Sequence, residues 1–340
     1  MIRIGIICPS EIALRRFLPA LCNLTDFKFI GIAVADRSEW EDANDEIINK
    51  EKEKANTFIE QYGGRLFESY TSIIKSVEID AIYLPLPPAL HYKWAKLALL
   101  SDKHVLVEKP ATTSYNKTNE LVSIAKKKNR AIHENYMFIY HTQLTVINDI
   151  IENREIGDVR LYRISFGFPR RSPNDFRYNK KLGGGALLDC GGYTIKYASI
   201  LLGKTARIVY SNSNYIEGFY VDVFGSAALV NECGTTAQIA FGMDNSYRCD
   251  LEVWGSKGSL TTGRIMTPPA GFIPEVVLTI RNEIEIRKLP ADDVFMKSIQ
   301  RFQRCIENDS ERNNNYIEIL KQAELVDEFI GKDKSGINGK

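Results

Sequence analysis

Histidine is scarce in this sequence: four in 340 residues, His91, His104, His133 and His141, with none beyond position 141. No H-x-x-x-H or H-E-x-x-H spacing occurs. A histidine-ligated metal or a Ser-His-Asp site in the second half is therefore excluded, and no metal site is expected. The six cysteines lie far apart without a C-x-x-C pair, so neither a zinc site nor a disulfide framework is suggested and reduced thiols are expected. Charge of one sign is also missing: 44 basic against 43 acidic residues leave +1, too weak a field to gather nucleic acid or an anionic membrane. Long apolar runs are absent as well. Met1 to Cys8 is apolar only until Pro9, too short for a signal-peptide core, and no later run reaches transmembrane length. The expectation is a cytoplasmic protein.

What is present is the composition of a globular chain, 26% charged and 44% hydrophobic, long enough for about two domains. Ile2 to Cys8 is a β-branched run that stops at Pro9-Ser10, as a buried parallel strand does at a loop. Ser10 can cap the following helix, Glu11 lies in its first turn, and Ile12, Leu14, Phe17, Leu18 and Leu21 form its apolar side. Pro19 should bend or shorten it. Phe27 to Val34, Ala81 to Leu84, His104 to Val107 and Ala131 to Tyr136 read as further strands. The charged stretch Glu39 to Lys54 reads as a solvated helix face. Such alternation implies an α/β fold with a doubly wound parallel sheet.

In that sheet, ligands sit at the carboxyl ends of the strands. The first end is Cys8-Pro-Ser-Glu-Ile-Ala13, where a dinucleotide fold usually carries G-x-G-x-x-G/A. Only Ala13 fits: Cys8 and Ser10 stand for two glycines and Pro9 removes an N–H donor. Strand two ends at Asp36-Arg37-Ser38, with the acid about 23 residues beyond Ala13, near the place of a carboxylate that accepts ribose hydroxyls. Asp36 leans toward NAD(H), whereas Arg37 and Ser38 leave a 2′-phosphate, and so NADP(H), open. The plain alternative is an acid capping a turn. Two further ends are the rigid loop running from Leu84, Pro85 and Leu86 to His91, and Glu108-Lys109-Pro110, which can aim an ammonium into the crevice.

The second half holds an acid/base constellation. Gly183 to Gly185 precede a helical run, Ala186 to Leu202, in which Asp189 and Tyr193 are spaced i, i+4 and so share a face. Gly191 and Gly192 between them weaken the helix by about 1 kcal/mol each. Something must approach closely there, either a ligand or a packed neighbour. Leu161 to Phe168, Arg207 to Ser211, Ser226 to Asn231, Thr235 to Phe241 and Cys249 to Val253 read as strands.

The order of these features resembles the family of glucose-fructose oxidoreductase, inositol 2-dehydrogenase and related NAD(P)-dependent sugar dehydrogenases. The matching segments are Ile4 to Ala20, Tyr83 to His91, Glu108-Lys109-Pro110, Glu134 to Phe138, Leu182 to Tyr193 and Leu251 to Leu260, so the resemblance spans nearly the whole chain. It implies a Rossmann domain followed by an α/β domain with a large, open, mostly antiparallel sheet, through which homodimers or homotetramers form. Residues 1–129 would be the first domain, 130–331 the second, and 332–340 a frayed tail, with the final helix, Val294 to Ile330, a candidate to return to the first domain. The resemblance further implies that Cys8, Ser10, Glu11, Ile12, Ala13, Asp36, Arg37, Ser38, Leu84, Pro85, Leu86, His91, Glu108, Lys109 and Arg177 serve the NAD(P)(H) cofactor.

Many members of the family carry D-x-x-x-H where this chain has Asp189 and Tyr193. The tyrosine resembles the branch of glucose-fructose oxidoreductase, xylose dehydrogenase, dihydrodiol dehydrogenase and the nucleotide-sugar 3-ketoreductases. By that resemblance Lys109 polarises the substrate oxygen, Tyr193 exchanges the proton, and Asp189 positions a sugar hydroxyl. A phenol with an ordinary pKa near 10 is an acid suited to ketone reduction, and a neighbouring ammonium could lower it for the reverse reaction. The first loop resembles that of the 3-ketoreductases, and Arg170, Arg171 and Arg177 could meet the phosphates of a nucleotide diphosphate sugar. The expectation is therefore an oxidoreductase reducing the C3 keto group of a nucleotide-activated deoxysugar. An aldose or cyclic-diol dehydrogenase is the alternative, and a non-catalytic scaffold or sensor with the same fold is a second one, because both loop glycines are missing.

Overall fold

The computed structural model describes residues 1–333; residues 334–340, most of the expected tail, lie outside them, and Lys332 still belongs to the last helix. Two compact units form. The first comprises Met1–Asn135 with Phe295–Leu320, the second Tyr136–Val294 with the chain from Lys321 onward. The division falls after Asn135 rather than at Asn129 because the strand Ile132–Asn135 pairs in register with its neighbour in the first sheet.

That sheet has six strands, β1 (Ile2–Ile7), β2 (Phe27–Ala33), β3 (Arg65–Phe67), β4 (Ala81–Leu84), β5 (His104–Glu108) and β6 (Ile132–Asn135), in the order β3-β2-β1-β4-β5-β6. Every pairing is parallel. Ile4, Ile6, Ile32, Ala81, Ile82, Val105 and Val107 are wholly inaccessible, as expected of strands covered on both faces. The helix after β1 widens to π geometry over Ala13–Phe17 and ends at Cys22, so it is short, as Pro19 requires. The charged stretch divides. Asn44 caps a helix over Asp45–Tyr62, whereas Glu39 precedes it and accepts the Tyr70 and Thr71 N–H groups at 2.8 and 2.7 Å, satisfying the start of the helix Tyr70–Lys75.

The second unit is built on an eight-stranded sheet: β7 (Val159–Gly167), β8 (Arg207–Asn214), β9 (Phe224–Val230), β10 (Thr236–Gly242), β11 (Arg248–Gly255), β12 (Gly258–Gly263), β13 (Glu275–Ile280) and β14 (Glu283–Lys288). The order is β14-β13-β12-β11-β7-β10-β9-β8, antiparallel except for the central parallel pair of β7 and β10. One face buries Ile164, Ala237, Ile239, Leu251 and Val253, and the helix Gly192–Leu202 packs on β7 and β10. The other face carries Arg163, Gln238, Glu252 and the exposed Trp254, the alternation of a sheet with one covered face. No helix among the described residues is long and apolar enough to cross a membrane.

Candidate active site

In the first unit the carboxyl ends of β1, β2, β4 and β5 carry the predicted groups. Cys8 adopts φ 78°, the left-handed backbone that glycine usually supplies. Its carbonyl accepts the Ser10 N–H at 3.0 Å, and the Ser10 hydroxyl accepts the Ala13 N–H at 3.2 Å. Cys8 therefore replaces glycine in sequence while keeping glycine's conformation, and burial pushes its thiol up to about 12. Ala13 is wholly buried, as the small residue that lets helix and strand close together must be.

Asp36 does cap a turn: Oδ1 accepts the Ser38 hydroxyl (2.6 Å), the Ser38 N–H (2.8 Å) and the Glu39 N–H (3.1 Å). The Ser38 hydroxyl, foremost among these, holds the carboxyl below its ordinary value. Since the turn uses only Oδ1, capping and ribose binding are compatible on one carboxylate. Arg37 lies in the open and pairs with Asp45 at 3.1 Å. Leu84 and Leu86 are part of the hydrophobic core, so what they offer a ligand is backbone.

His91, fully buried, stands between two loops, with Nδ1 2.8 Å from the Pro110 carbonyl oxygen and Nε2 2.6 Å from that of Leu86. Burial lowers its pKa to about 4. Its visible work is to tie the loop after β4 to the segment beside Lys109. Glu108 is likewise engaged, accepting from Tyr83 Oη (2.7 Å) and Asn135 Nδ2 (2.6 Å). Burial raises its pKa. These two residues frame Lys109, and their partners, distant in sequence, could not be foreseen.

In the second unit the run from Ala186 is not a simple helix. It passes through a π segment, Leu187–Gly191, before the α-helix begins at Gly192, and such π segments often mark functional positions. Asp189 lies in the widened turn, where its Oδ2 accepts from Arg177 Nε at 2.7 Å. Arg177 also reaches Asp175 at 3.1 Å. Burial works against the guanidinium's charge, but the two carboxylates outweigh it and raise its pKa. Tyr193, 6% exposed, stands among three rings, with centroids 5.2 Å from Tyr136, 5.6 Å from Phe138 and 5.3 Å from Phe166. The close approach demanded at the two glycines is packing: a Cβ on Gly192 would lie 2.2 Å from Tyr136 Oη, and one on Gly191 3.1 Å from the Phe241 ring.

Sequence reasoning missed Asp222. Its carboxylate accepts the Leu187 N–H at 2.6 Å and its carbonyl accepts the Ala186 N–H at 2.9 Å, closing the start of the π segment. Gly185, at φ 124°, leaves room for it: a Cβ there would lie 2.3 Å from Asp222 Oδ1. Only the glycine run hinted that something came close.

A six-stranded parallel sheet with a phosphate-type turn after β1 and an acid after β2, joined to a mostly antiparallel unit bearing Tyr193, defines a dinucleotide-dependent oxidoreductase. Residues 16–136 match the oxidoreductase family with the NAD-binding Rossmann fold, and residues 145–261 match the GFO/IDH/MocA C-terminal domain. The chain belongs to this family of NAD(P)-dependent oxidoreductases. It is 33% identical over 337 residues, 97% of both chains, to dTDP-3,4-didehydro-2,6-dideoxy-alpha-D-glucose 3-reductase of Saccharopolyspora spinosa. It is 37% identical over 335 residues to the enzyme of the same name from Streptomyces violaceoruber, covering 96% of this chain and 94% of that one. Among solved structures, a 3-ketoreductase from Actinomadura kijaniata in complex with NADP and TDP-benzene is similar with a TM-score of 0.89 and 35% identity, over 98% of each chain.

Proposed function

We propose that this chain reduces the C3 keto group of a nucleotide-activated deoxysugar with NAD(P)H. The observation that carries this reading is resemblance over nearly the full length to enzymes named for that reaction. Solved forms of the Actinomadura enzyme include replacements of a lysine and, further along, of a tyrosine; the interval between those positions equals that between Lys109 and Tyr193.

The residues fit a dinucleotide. The positive φ of Cys8, the buried Ala13 and the second carboxylate oxygen of Asp36 are what a pyrophosphate and a ribose ask of this fold. Arg37 and Ser38 would meet a 2′-phosphate. When bound, the cofactor supplies hydride. The chain's own part is to manage the charge that results. Lys109 places an ammonium against the carbonyl oxygen as negative charge grows on it, and Tyr193 donates the phenolic proton that completes the alcohol. Asp189, held by Arg177, accepts from a substrate hydroxyl and orients the ring. An ordinary protonated phenol is the acid that ketone reduction requires.

A second copy of this chain is the partner for the open face of the eight-stranded sheet. There Arg163, Arg248, Glu252 and Ile273 line a groove of about 850 Å³. Light scattering of the purified protein reads this directly, and a monomer at micromolar concentration would reject it.

The experiment for the activity is a 340 nm screen of NADH and NADPH against 3-keto and 4-keto nucleotide sugars, and of NAD⁺ and NADP⁺ against free aldoses and cyclic diols. Signal with the 3-keto nucleotide sugar alone supports the proposal. Signal confined to free polyols replaces it with the dehydrogenase alternative, and silence with no cofactor binding favours a non-catalytic role.

A further inference from the structure

Three arginines near the glycine run, Arg170, Arg171 and Arg177, are equivalent as sequence, but the structure separates their duties. Arg177 is committed to Asp189 and Asp175. Arg170 pairs with Asp244 at 2.5 Å and lies over the Phe219 ring at 5.0 Å. Arg171 alone of the three makes no ion pair among the described residues. It is exposed, yet it is not loose. Its backbone N–H donates to Tyr178 Oη at 2.9 Å, Tyr178 Oη donates in turn to the Met243 carbonyl at 3.2 Å, and the guanidinium lies 5.0 Å from the centre of the Phe168 ring. A guanidinium laid on an aromatic face keeps its planar fork aimed and its charge unspent.

The same rings lead to the proton donor. From Tyr193 to Phe166 is 5.3 Å, from Phe166 to Phe168 is 6.1 Å, and from Phe168 to Arg171 is 5.0 Å. These steps set an upper bound on the separation of Tyr193 and Arg171, within which a sugar ring extended by a diphosphate fits. We propose that Arg171 receives the diphosphate of the nucleotide-sugar substrate, in the two-pronged manner of guanidinium on phosphate, while Arg170 and Arg177 are framework. This rests on the nucleotide-sugar activity proposed above. The cofactor is the other source of phosphate. The binding experiment separates the two sources, since one is read with thymidine diphosphate and the other with NADPH.

The test uses the full chain and its Arg171→Ala, Arg171→Lys and Arg171→Glu variants. Calorimetry measures thymidine diphosphate, thymidine and NADPH binding, and steady-state kinetics measures the 3-keto nucleotide sugar. Expected for Arg171→Ala is a tenfold or greater weakening of thymidine diphosphate binding with a matching rise in KM, while kcat, NADPH affinity, thymidine affinity and the unfolding midpoint hold. Arg171→Lys recovers part of the loss, and Arg171→Glu loses more than alanine. Unchanged diphosphate affinity in Arg171→Ala overturns the inference, as does a loss confined to NADPH. If the wild type turns over the nucleotide sugar and the variants match it, the inference alone falls. If the wild type neither binds thymidine diphosphate nor reduces the sugar, the activity falls with it.

Discussion

Arg177 Nε donates to Asp189 Oδ2 across 2.7 Å while the same guanidinium holds Asp175 at 3.1 Å, so the carboxylate expected to position a sugar hydroxyl is itself positioned. Both side chains of the 2.7 Å pair are largely withdrawn from water, 22% and 13% exposed. Removing one partner of such a pair leaves a charge with poor solvation, at a cost of about 3 kcal/mol. Arg177→Ala should therefore lower the unfolding free energy by roughly that amount in a urea titration. Asp189→Asn should cost distinctly less, because Asp175 still neutralises the arginine. Equal effects would mean that Asp175 carries nothing.

Lys109→Ala and Tyr193→Phe should each reduce turnover by two or more orders of magnitude, about what a positioned acid or a preorganised charge contributes. Phenylalanine preserves the ring contacts with Tyr136, Phe138 and Phe166 that hold the side chain in place. The melting temperature of Tyr193→Phe should accordingly stay within about a degree or two. Retained turnover in both variants would reject the site.

Asp222 gives a dependence on pH with a definite sign. Burial raises its carboxyl to about 6 from an ordinary 3.8, with Asp333 adding like charge and the Leu187 N–H opposing. Between these values the folded protein holds a proton that the unfolded chain has lost. Its contribution is thus complete below about pH 4 and falls as pH rises through 6, by about 3 kcal/mol in all. Asp222→Asn imitates the protonated group and keeps an oxygen for the Leu187 N–H. In unfolding free energies compared from pH 4 to 7, the variant should gain on the wild type as pH rises, and parallel curves would mean the carboxyl titrates normally.

Much of this was legible in the sequence because it is local. Apolar runs ending at Cys8, Asp36 and Lys109 mark strand ends, and strand ends are where an α/β sheet places chemistry. Four strands escaped notice; β12 and β13, Gly258–Gly263 and Glu275–Ile280, did so although Val276, Val277 and Leu278 form an apolar run, whereas β3 and β14 lack the signal. β3 is three residues long, and β14, Glu283–Lys288, exposes most of its side chains, so neither alternation nor an apolar run sets it apart from a loop. The missed site residues are missed for a different reason. Asp222 meets Leu187 across 35 positions, and Asn135, likewise unforeseen, meets the expected Glu108 across 27; a lone polar residue gives no sign of which distant group it will satisfy. The substitution at Cys8 misled in the opposite direction. Loss of glycine suggested loss of the turn, yet the φ of 78° shows the conformation retained by a residue for which it costs about 1 to 2 kcal/mol.

The glycine before the tyrosine supports the sharpest test of how Tyr193 is placed. A methyl group on Gly192 would lie 2.2 Å from Tyr136 Oη and 3.4 Å from that ring's Cζ, with Gln322 Nε2 next at 3.7 Å. The hydroxyl alone is therefore in the way. Gly192→Ala must push the Tyr136 ring, which stands edge-on to Tyr193 at 5.2 Å, and turnover should fall tenfold or more even though alanine favours a helix by about 1 kcal/mol. Deleting the obstruction as well, in Gly192→Ala/Tyr136→Phe, turns the clash into ordinary contact, so the double variant should recover most of the turnover that Gly192→Ala loses. Tyr136→Phe alone gives up at least the hydrogen bond from Gln322 at 3.3 Å and is the reference against which the turnover of the double variant is read. If the double variant were no better than Gly192→Ala, the glycine would be serving something other than the tyrosine's hydroxyl, and approach of a ligand to the helix would again be the better explanation of it.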